Sequence, residues 1–218
     1  MKTNVVIVLD KSGSMEVKVP STDPSLDTRE SELPRRIDRA ITDYNQQIQA
    51  MKDEVKRDSN LEILVSLVLF DSTVGVLFEN LPLDQVEELK VSQVRPSGGT
   101  AMFDAIKRAI EIVEPEIKNP TDAALIVTIT DGDENGSSRE ARKYTPKKIK
   151  ELEATDAWTF TYLGAEISMD DFQDLGSVAG NTMTGLGNLG TQTTAGMHGR
   201  YFGERSRGST SSKNTYGK

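Results

Sequence analysis

Residues 5–15 read VVIVLDKSGSM, and the fold of this chain depends on this stretch. Five apolar residues are followed at once by Asp10, and then by Ser12 and Ser14. A continuous apolar run is typical of a strand that is covered on both faces of a parallel sheet. The predicted strand therefore ends in a carboxylate and two hydroxyls, which suit a binding site better than a core.

Further apolar runs of the same kind follow along the chain, at 61–70, 123–131 and 158–165. The run at 73–79 follows the second strand after almost no gap. Because a parallel crossover needs a dozen residues or more, we expect this strand to return as an antiparallel hairpin. A weak last strand is expected near 180–184.

Amphipathic helical patterns separate the strands. Apolar residues recur at spacings of three and four between Leu33 and Val55, and again from Met102 until Pro115 ends the pattern. Thr145 and Pro146 indicate a third helix start, with threonine as the N-cap and proline at the first helical position. A fourth helix is predicted to start within 168–171.

This alternation predicts the α/β class. We expect a doubly wound, mostly parallel six-stranded sheet with one antiparallel edge strand and helices on both faces, as in Rossmann-like folds. The domain is predicted to span 1–184, with 16–32 forming a long acidic loop on its rim. Residues 185–218 are rich in Gly, Ser and Thr, and we expect a basic tail there that is at least partly disordered.

Composition narrows the class of protein further. The chain has 218 residues, a formal net charge of −8 and no cysteine. An acidic chain is a poor general binder of nucleic acid, so we expect such binding only through the basic tail. Without a long apolar run or a recognisable export signal, we expect a cytoplasmic protein that does not enter a membrane.

Three predicted strand ends place oxygen-bearing side chains at one edge of the sheet. Asp10, Ser12 and Ser14 follow the first strand, Asp131 ends the 123–130 strand, and Thr100 precedes a helix. In open α/β sheets the ligand site lies outside the carboxyl ends of the strands. Carboxylate and hydroxyl oxygens are the ligands of Mg²⁺, Mn²⁺ or Ca²⁺ rather than of zinc or copper. The alternative for the first three residues alone is an ordinary turn.

Other acidic residues near these strand ends are interpreted without a ligand role. Asp71 also ends a strand, but the hairpin that follows it explains a turn-forming residue there. Asp133 and Glu134 follow Asp131 and are interpreted as a solvated acidic loop, with support of the ligands from behind as the alternative.

At this point the sequence resembles the von Willebrand factor A (VWA) domain family. Asp10, Ser12 and Ser14 in D-x-S-x-S order, then Thr100, then Asp131 match the family's metal-ion-dependent adhesion site. The resemblance covers roughly residues 3–184, and segments such as SGGTAMFDAI and TDGDENGS look like small stand-alone VWA proteins of bacteria and phages.

The resemblance implies a specific kind of recognition. The serines and the threonine would ligate Mg²⁺, with Mn²⁺ or Ca²⁺ as alternatives, and the two aspartates would act through bridging waters. An Asp or Glu of a partner protein would fill the last coordination position. Similar bacterial proteins serve as adaptors to AAA+ ATPases of the MoxR or chelatase kind, so such an ATPase is one expected partner.

We therefore expect a protein-binding module and not an enzyme. Two alternatives stay open from the sequence. A metal beside carboxylates at the edge of an α/β sheet also suits a metal-dependent phosphohydrolase, although no residue reads as a general base. A structural or assembly component of a phage particle is the other.

Overall fold

A β-sheet of five full-length strands and a short sixth strand forms the centre of the molecule. The computed structural model describes residues 2–19, 33–131, 134–155, 157–164, 182–184 and 201–202. Its strands are β1 Lys2–Asp10, β2 Glu62–Phe70, β3 Val74–Pro82, β4 Ala123–Thr130, β5 Trp158–Gly164 and β6 Thr182–Thr184.

The strand order is β3-β2-β1-β4-β5-β6. Every neighbouring pair is parallel except β2 and β3, which are antiparallel. The predicted fold class and the hairpin return of the third strand are therefore confirmed. The central position of β1 follows from its composition, because Val5 to Leu9 are all buried and only an inner strand is covered on both faces.

In the described ranges, three complete α-helices cover the two faces of the sheet: α1 Arg36–Arg57, α2 Met102–Val113 and α3 Arg139–Glu153. The inward side of α1 packs with β1 and β2 on one face, where Ile41, Tyr44 and Met51 are buried. The α2 and α3 helices pack on the other face around Ile106 and Ile149. The first two helices thus match their predicted spacing, and α2 ends before a 3-10 turn at Glu114–Glu116 that contains the predicted proline.

The predicted start of the third helix was wrong. The α3 helix begins at Arg139, with Ser138 as its N-cap, and Pro146 lies inside it. The Ser138 hydroxyl accepts a hydrogen bond from the Ala141 amide at 3.1 Å, which satisfies one of the free amides of the first turn. Thr145 is buried instead, and its hydroxyl donates to the Phe103 carbonyl of α2 at 3.0 Å. Proline is tolerated here although it removes one hydrogen bond of the helix.

The core includes two residues of the predicted tail. Tyr201 and Phe202 are fully buried and pack in the cluster on the α1 face of the sheet. The folded part of the chain therefore extends past residue 184 at these positions. Most of the predicted acidic loop and the helix predicted at 168–171 lie outside the described residues. Within the described ranges, no helix is both long and apolar enough to cross a membrane.

Candidate functional site

The carboxyl ends of β1 and β4 meet at one edge of the sheet. These strands pair in parallel, with Leu9 opposite Ile129, so the residues that follow them lie side by side. This juxtaposition brings Asp10 and Asp131 to the same place. The chain leaves β1 towards β2 on one side, while β4 lies on the other, and such a switch point is where α/β sheets bind ligands.

Oxygen atoms from three of the predicted residues form a continuous series at this edge. A 3-10 turn at Gly13–Glu16 folds the chain back directly after Ser12. The Oγ atoms of Ser12 and Ser14 lie 3.0 Å apart, and Ser14 Oγ donates to Asp131 Oδ1 at 2.9 Å. The two serine hydroxyls therefore connect the loop after β1 to the end of β4.

Asp10 lies beneath this series and is held by donors of the protein itself. Its Oδ1 accepts from the Ser12 amide at 2.6 Å, and its Oδ2 accepts from Thr130 Oγ1 at 2.6 Å. The residue is fully buried. Burial raises the pKa of Asp10 to about 6, although the hydrogen bonds from Thr130 and Ser12 act in the opposite direction.

Thr100 is fixed at the same edge through its backbone. The Ser97 amide donates to the Lys11 carbonyl at 2.8 Å, and the Gly13 amide donates to Gly98 O at 3.0 Å, so its loop lies against the β1 loop. The Thr100 amide donates to Asn135 Oδ1 at 2.9 Å. Among the described residues, no hydrogen bond joins the Thr100 side chain to the other four predicted site residues.

Glycine is required at one point of this loop. Gly98 has a φ of 68°, which lies in the left-handed region that residues with a Cβ atom rarely adopt. A Cβ atom there would lie 2.7 Å from Ser72 Oγ. The absence of a side chain at Gly98 therefore lets the loop lie against the hairpin between β2 and β3 in this conformation.

Asp71 organises the rim of the site, a role that the sequence reasoning missed. It forms an ion pair with Lys11, accepts from Ser97 Oγ at 3.0 Å, and accepts from the Thr73 amide at 2.8 Å. Burial alone would raise the pKa of this carboxyl, but the hydrogen bonds from Lys11, Thr73 and Ser97 hold it well below its usual range. The available signal was its position at the end of β2, next to β1.

Glu134 also differs from the sequence interpretation, since it does not lie in a solvated loop. Its carboxylate accepts from Ser137 Oγ at 2.6 Å, from the Ser137 amide at 2.7 Å and from the Phe103 amide at 3.2 Å. Glu134 therefore joins the segment before α3 to the first turn of α2. Asp133, interpreted in the same way, lies outside the described residues.

Arg36 is the second residue of the site that the sequence did not reveal. Its Nη1 donates to Asp131 Oδ2 at 2.7 Å, and the side chains of Arg36 and Asp131 are 21% and 0% exposed. The Arg36 Nε is buried without a hydrogen-bond partner in the described structure. The helical pattern of 33–55 could not single out this arginine, because its partner is 95 residues away along the chain.

The donor set fits a small divalent cation. Adjacent ligands of an octahedral Mg²⁺ ion lie about 3.0 Å apart, since each is about 2.1 Å from the metal. The 3.0 Å between the Ser12 and Ser14 hydroxyls is compatible with that spacing, as it is with the hydrogen bond between them. No group of three or more His, Cys, Asp or Glu side chains able to hold a metal occurs among the described residues.

Comparison with known proteins gives the family and the fold. The family model of the von Willebrand factor type A domain matches residues 5–134. No curated protein sequence matches the chain significantly.

Solved structures share the fold at low sequence identity. The PilB minor pilin from Streptococcus sanguinis is 14% identical with a TM-score of 0.63, and the match covers 94% of this chain and 62% of that one. A von Willebrand factor type A protein from Catenulispora acidiphila is 14% identical with a TM-score of 0.58, covering 93% and 43%. The SpRpn10 VWA domain is 12% identical with a TM-score of 0.53, covering 88% and 94%. This chain thus spans less than two thirds of the first two proteins.

Proposed function

We propose that this chain, which belongs to the von Willebrand factor type A domain family, is a protein-binding module. Its contact with a partner would depend on a divalent metal. Domains of this family are commonly protein-interaction modules. The proposal adds to this common role a dependence on a metal ion and a contact through a carboxylate of the partner.

The observation that carries the proposal is the oxygen series at the edge of β1 and β4. The Ser12 and Ser14 hydroxyls lie 3.0 Å apart, a separation that two ligands of one cation can have, and Asp131 Oδ1 lies 2.9 Å from Ser14 Oγ. The Ser12, Ser14 and Thr100 hydroxyls would hold the ion, with Asp10 and Asp131 beside them. This is the residue set of a metal-ion-dependent adhesion site.

The chemistry of this donor set favours Mg²⁺, with Mn²⁺ and Ca²⁺ as alternatives. A bound ion would supply an electrophilic position for a carboxylate. Because the hydroxyls are neutral, they leave much of the ionic charge to attract an Asp or Glu of a partner protein. The described residues would hold the groups around this position in a fixed orientation. Thr130 and the Ser12 amide hold Asp10 by hydrogen bonds, and Asp71 holds the rim loops.

The partner class follows from this contact. A protein that presents an exposed Asp or Glu on a protruding segment fits the site. A AAA+ ATPase for which this chain acts as an adaptor is the specific partner that we propose. Function by binding rather than by turnover is part of the same proposal.

The test compares metal binding and partner capture in one variant. Ser12→Ala removes one hydroxyl of the series, while the exposed Ser92→Ala serves as the control. We expect calorimetry to show Mg²⁺ binding to the wild type and to Ser92→Ala, and a loss of at least about tenfold in affinity for Ser12→Ala, which is about 1.4 kcal/mol.

Partner capture uses the same three proteins on a matrix with native lysate. We expect EDTA to release a partner from the wild type and from Ser92→Ala, and Ser12→Ala to retain none. A partner that stays bound in EDTA, together with unchanged Mg²⁺ affinity in Ser12→Ala, would overturn the proposal.

A further inference from the structure

The exposed face of α3 carries a row of basic side chains that the metal site does not use. Arg139, Lys143, Lys147 and Lys150 are all exposed. They follow one another at spacings of four, four and three residues, so they lie on one side of the helix. At 100° per residue they fall within an arc of about 80° and extend over about 16 Å. We call these four residues the α3 basic stripe.

Within the described part of the chain, the stripe lacks ion-pair and hydrogen-bond partners. None of its four side chains forms an ion pair or a hydrogen bond with another described residue, although the same helix shows that such pairs are available. Arg142 pairs with Glu134 at 3.4 Å, and Lys148 pairs with Glu114 at 2.6 Å. On α3, the cations without a described partner therefore lie on the one face that points away from the core.

Part of this arrangement is unfavourable for the helix itself. Like charges four residues apart repel, as Arg139 and Lys143 do, and as Lys143 and Lys147 do. Arg139 also lies in the first turn, where the helix dipole favours negative charge. Lys150, in the last turn, is the one residue of the stripe that the helix dipole favours. The other three concentrate positive charge on one face of a chain whose formal net charge is −8.

We propose that the α3 basic stripe docks an acidic segment of a partner protein. Acidic side chains on a helix at spacings of four, four and three residues would match the stripe along its whole length. Because α3 begins just after the loop that holds Thr100 through Asn135, a partner at the metal site can extend along the stripe. The inference extends the proposed function, but the contact itself requires no metal.

A protein segment fits this surface better than nucleic acid. Two acidic residues flank the stripe on the same helix, Glu140 and Glu151, and the whole chain is acidic. A continuous phosphate backbone would meet this repulsion along its length, whereas an acidic helix presents charge on one side only.

The test measures binding of a defined acidic peptide by fluorescence anisotropy at low salt. The probe is a labelled alanine-based helical peptide with glutamates at spacings of four, four and three residues, and its glutamine analogue is the negative control. The stripe variant changes Arg139, Lys143, Lys147 and Lys150 to glutamine. The matched control variant changes four other exposed basic residues to glutamine: Lys56, Arg57, Lys90 and Lys118.

We expect the stripe variant to bind the glutamate peptide about tenfold more weakly than the wild type, since four exposed ion pairs are lost. The control variant, which has the same net charge, should keep most of the affinity, and higher salt should weaken binding by the wild type. Ser12→Ala should bind the peptide as the wild type does while losing Mg²⁺. Failure of the metal proposal and failure of this one are therefore distinguishable.

Three results would overturn the inference. One is equal loss of peptide affinity in the stripe and control variants, which would show an effect of net charge alone. Another is equal binding of the glutamate and glutamine peptides. The third is tighter stripe-dependent binding of a single-stranded DNA of the same charge, which would assign the surface to nucleic acid.

Discussion

At the scale of single residues, the buried negative charge of Asp131 determines the electrostatics of this site. Asp131 has a fully buried side chain, and its two oxygens are divided between Ser14 and Arg36. A guanidinium bound to one oxygen of a carboxylate repels a cation that approaches the other. Arg36 therefore compensates the buried charge of Asp131 and at the same time opposes metal binding.

Replacement of Arg36 by glutamine should raise the affinity for Mg²⁺ by at least about tenfold, or about 1.4 kcal/mol, because a competing positive charge is removed. Calorimetric titration with Mg²⁺ measures this change. Arg57→Gln removes an exposed arginine that pairs with Glu54, so it should leave the affinity unchanged. Equal or weaker Mg²⁺ binding by Arg36→Gln would contradict the expectation.

Asp71 gives a prediction on acid stability. Its pKa is lowered in the folded state, so its contribution is fully present above the unfolded value of about 3.9 and is lost as the pH falls below it. Asp71→Asn should lower the free energy of unfolding by about 2 kcal/mol at pH 7, the worth of a hydrogen-bonded charge. The difference between the two proteins should shrink steadily below about pH 4.

Urea denaturation of both proteins across this pH range measures the effect of Asp71. The exposed Asp84 has no hydrogen bond to another described residue, and Asp84→Asn should change stability little at any pH. A difference for Asp71→Asn that does not depend on pH would show that its charge is not involved.

At the scale of elements, tertiary contacts determine where α3 begins. Proline and threonine at 145–146 have the local chemistry of a helix start, but the Thr145 hydroxyl is used by Phe103 of α2. Ser138 is held in place by α2 instead, because its amide and hydroxyl donate to Asp104 at 2.6 Å and 2.8 Å. The helix start is thus fixed by a neighbouring helix, and the segment before it is held beside Thr100.

Ser138→Ala should lower the free energy of unfolding by about 1 kcal/mol, because the first turn of α3 loses its cap. Chemical denaturation measures this loss. Ser138→Thr keeps a capping hydroxyl and should recover most of the stability, whereas Ser92→Ala at an exposed position should have no effect. A stable Ser138→Ala protein would indicate that the Asp104 and Ser138 contact has no part in starting the helix.

At the scale of the whole molecule, the candidate site and the core share the same strands. β1 lies in the middle of the sheet, is buried on both faces and ends in Asp10, so the site is built on the most enclosed strand. A ligand that binds only the folded state must then stabilise the whole domain. The site can therefore be detected by the stability of the molecule as well as by partner binding.

Mg²⁺ at one hundred times its dissociation constant should stabilise the protein by about 2.7 kcal/mol. For a domain of this size that corresponds to a rise in Tm of about 5 to 10 °C. Thermal unfolding with Mg²⁺ and with EDTA measures the difference, and Ser12→Ala should show little of it. A Tm that Mg²⁺ leaves unchanged in the wild type would argue against a metal at this edge.

Local patterns in the sequence determined the order and type of the elements. Apolar runs identified the strands, three- and four-residue spacing identified α1 and α2, and the short gap after Asp71 required an antiparallel hairpin. These features depend on neighbouring residues, so they can be read without the fold. The five expected site residues followed from one further rule, that parallel strands end at a common edge. Their role as metal ligands stays a prediction.

Only the tertiary structure decided the contacts between distant parts of the chain. Arg36 meets Asp131 across 95 residues, Thr145 turns to α2 instead of capping a helix, and Tyr201 and Phe202 enter the core. In each case the local sequence permits several environments for the side chain. Packing selected one of them, because burying a charge, a hydroxyl or an aromatic ring requires a partner that only the folded chain brings close.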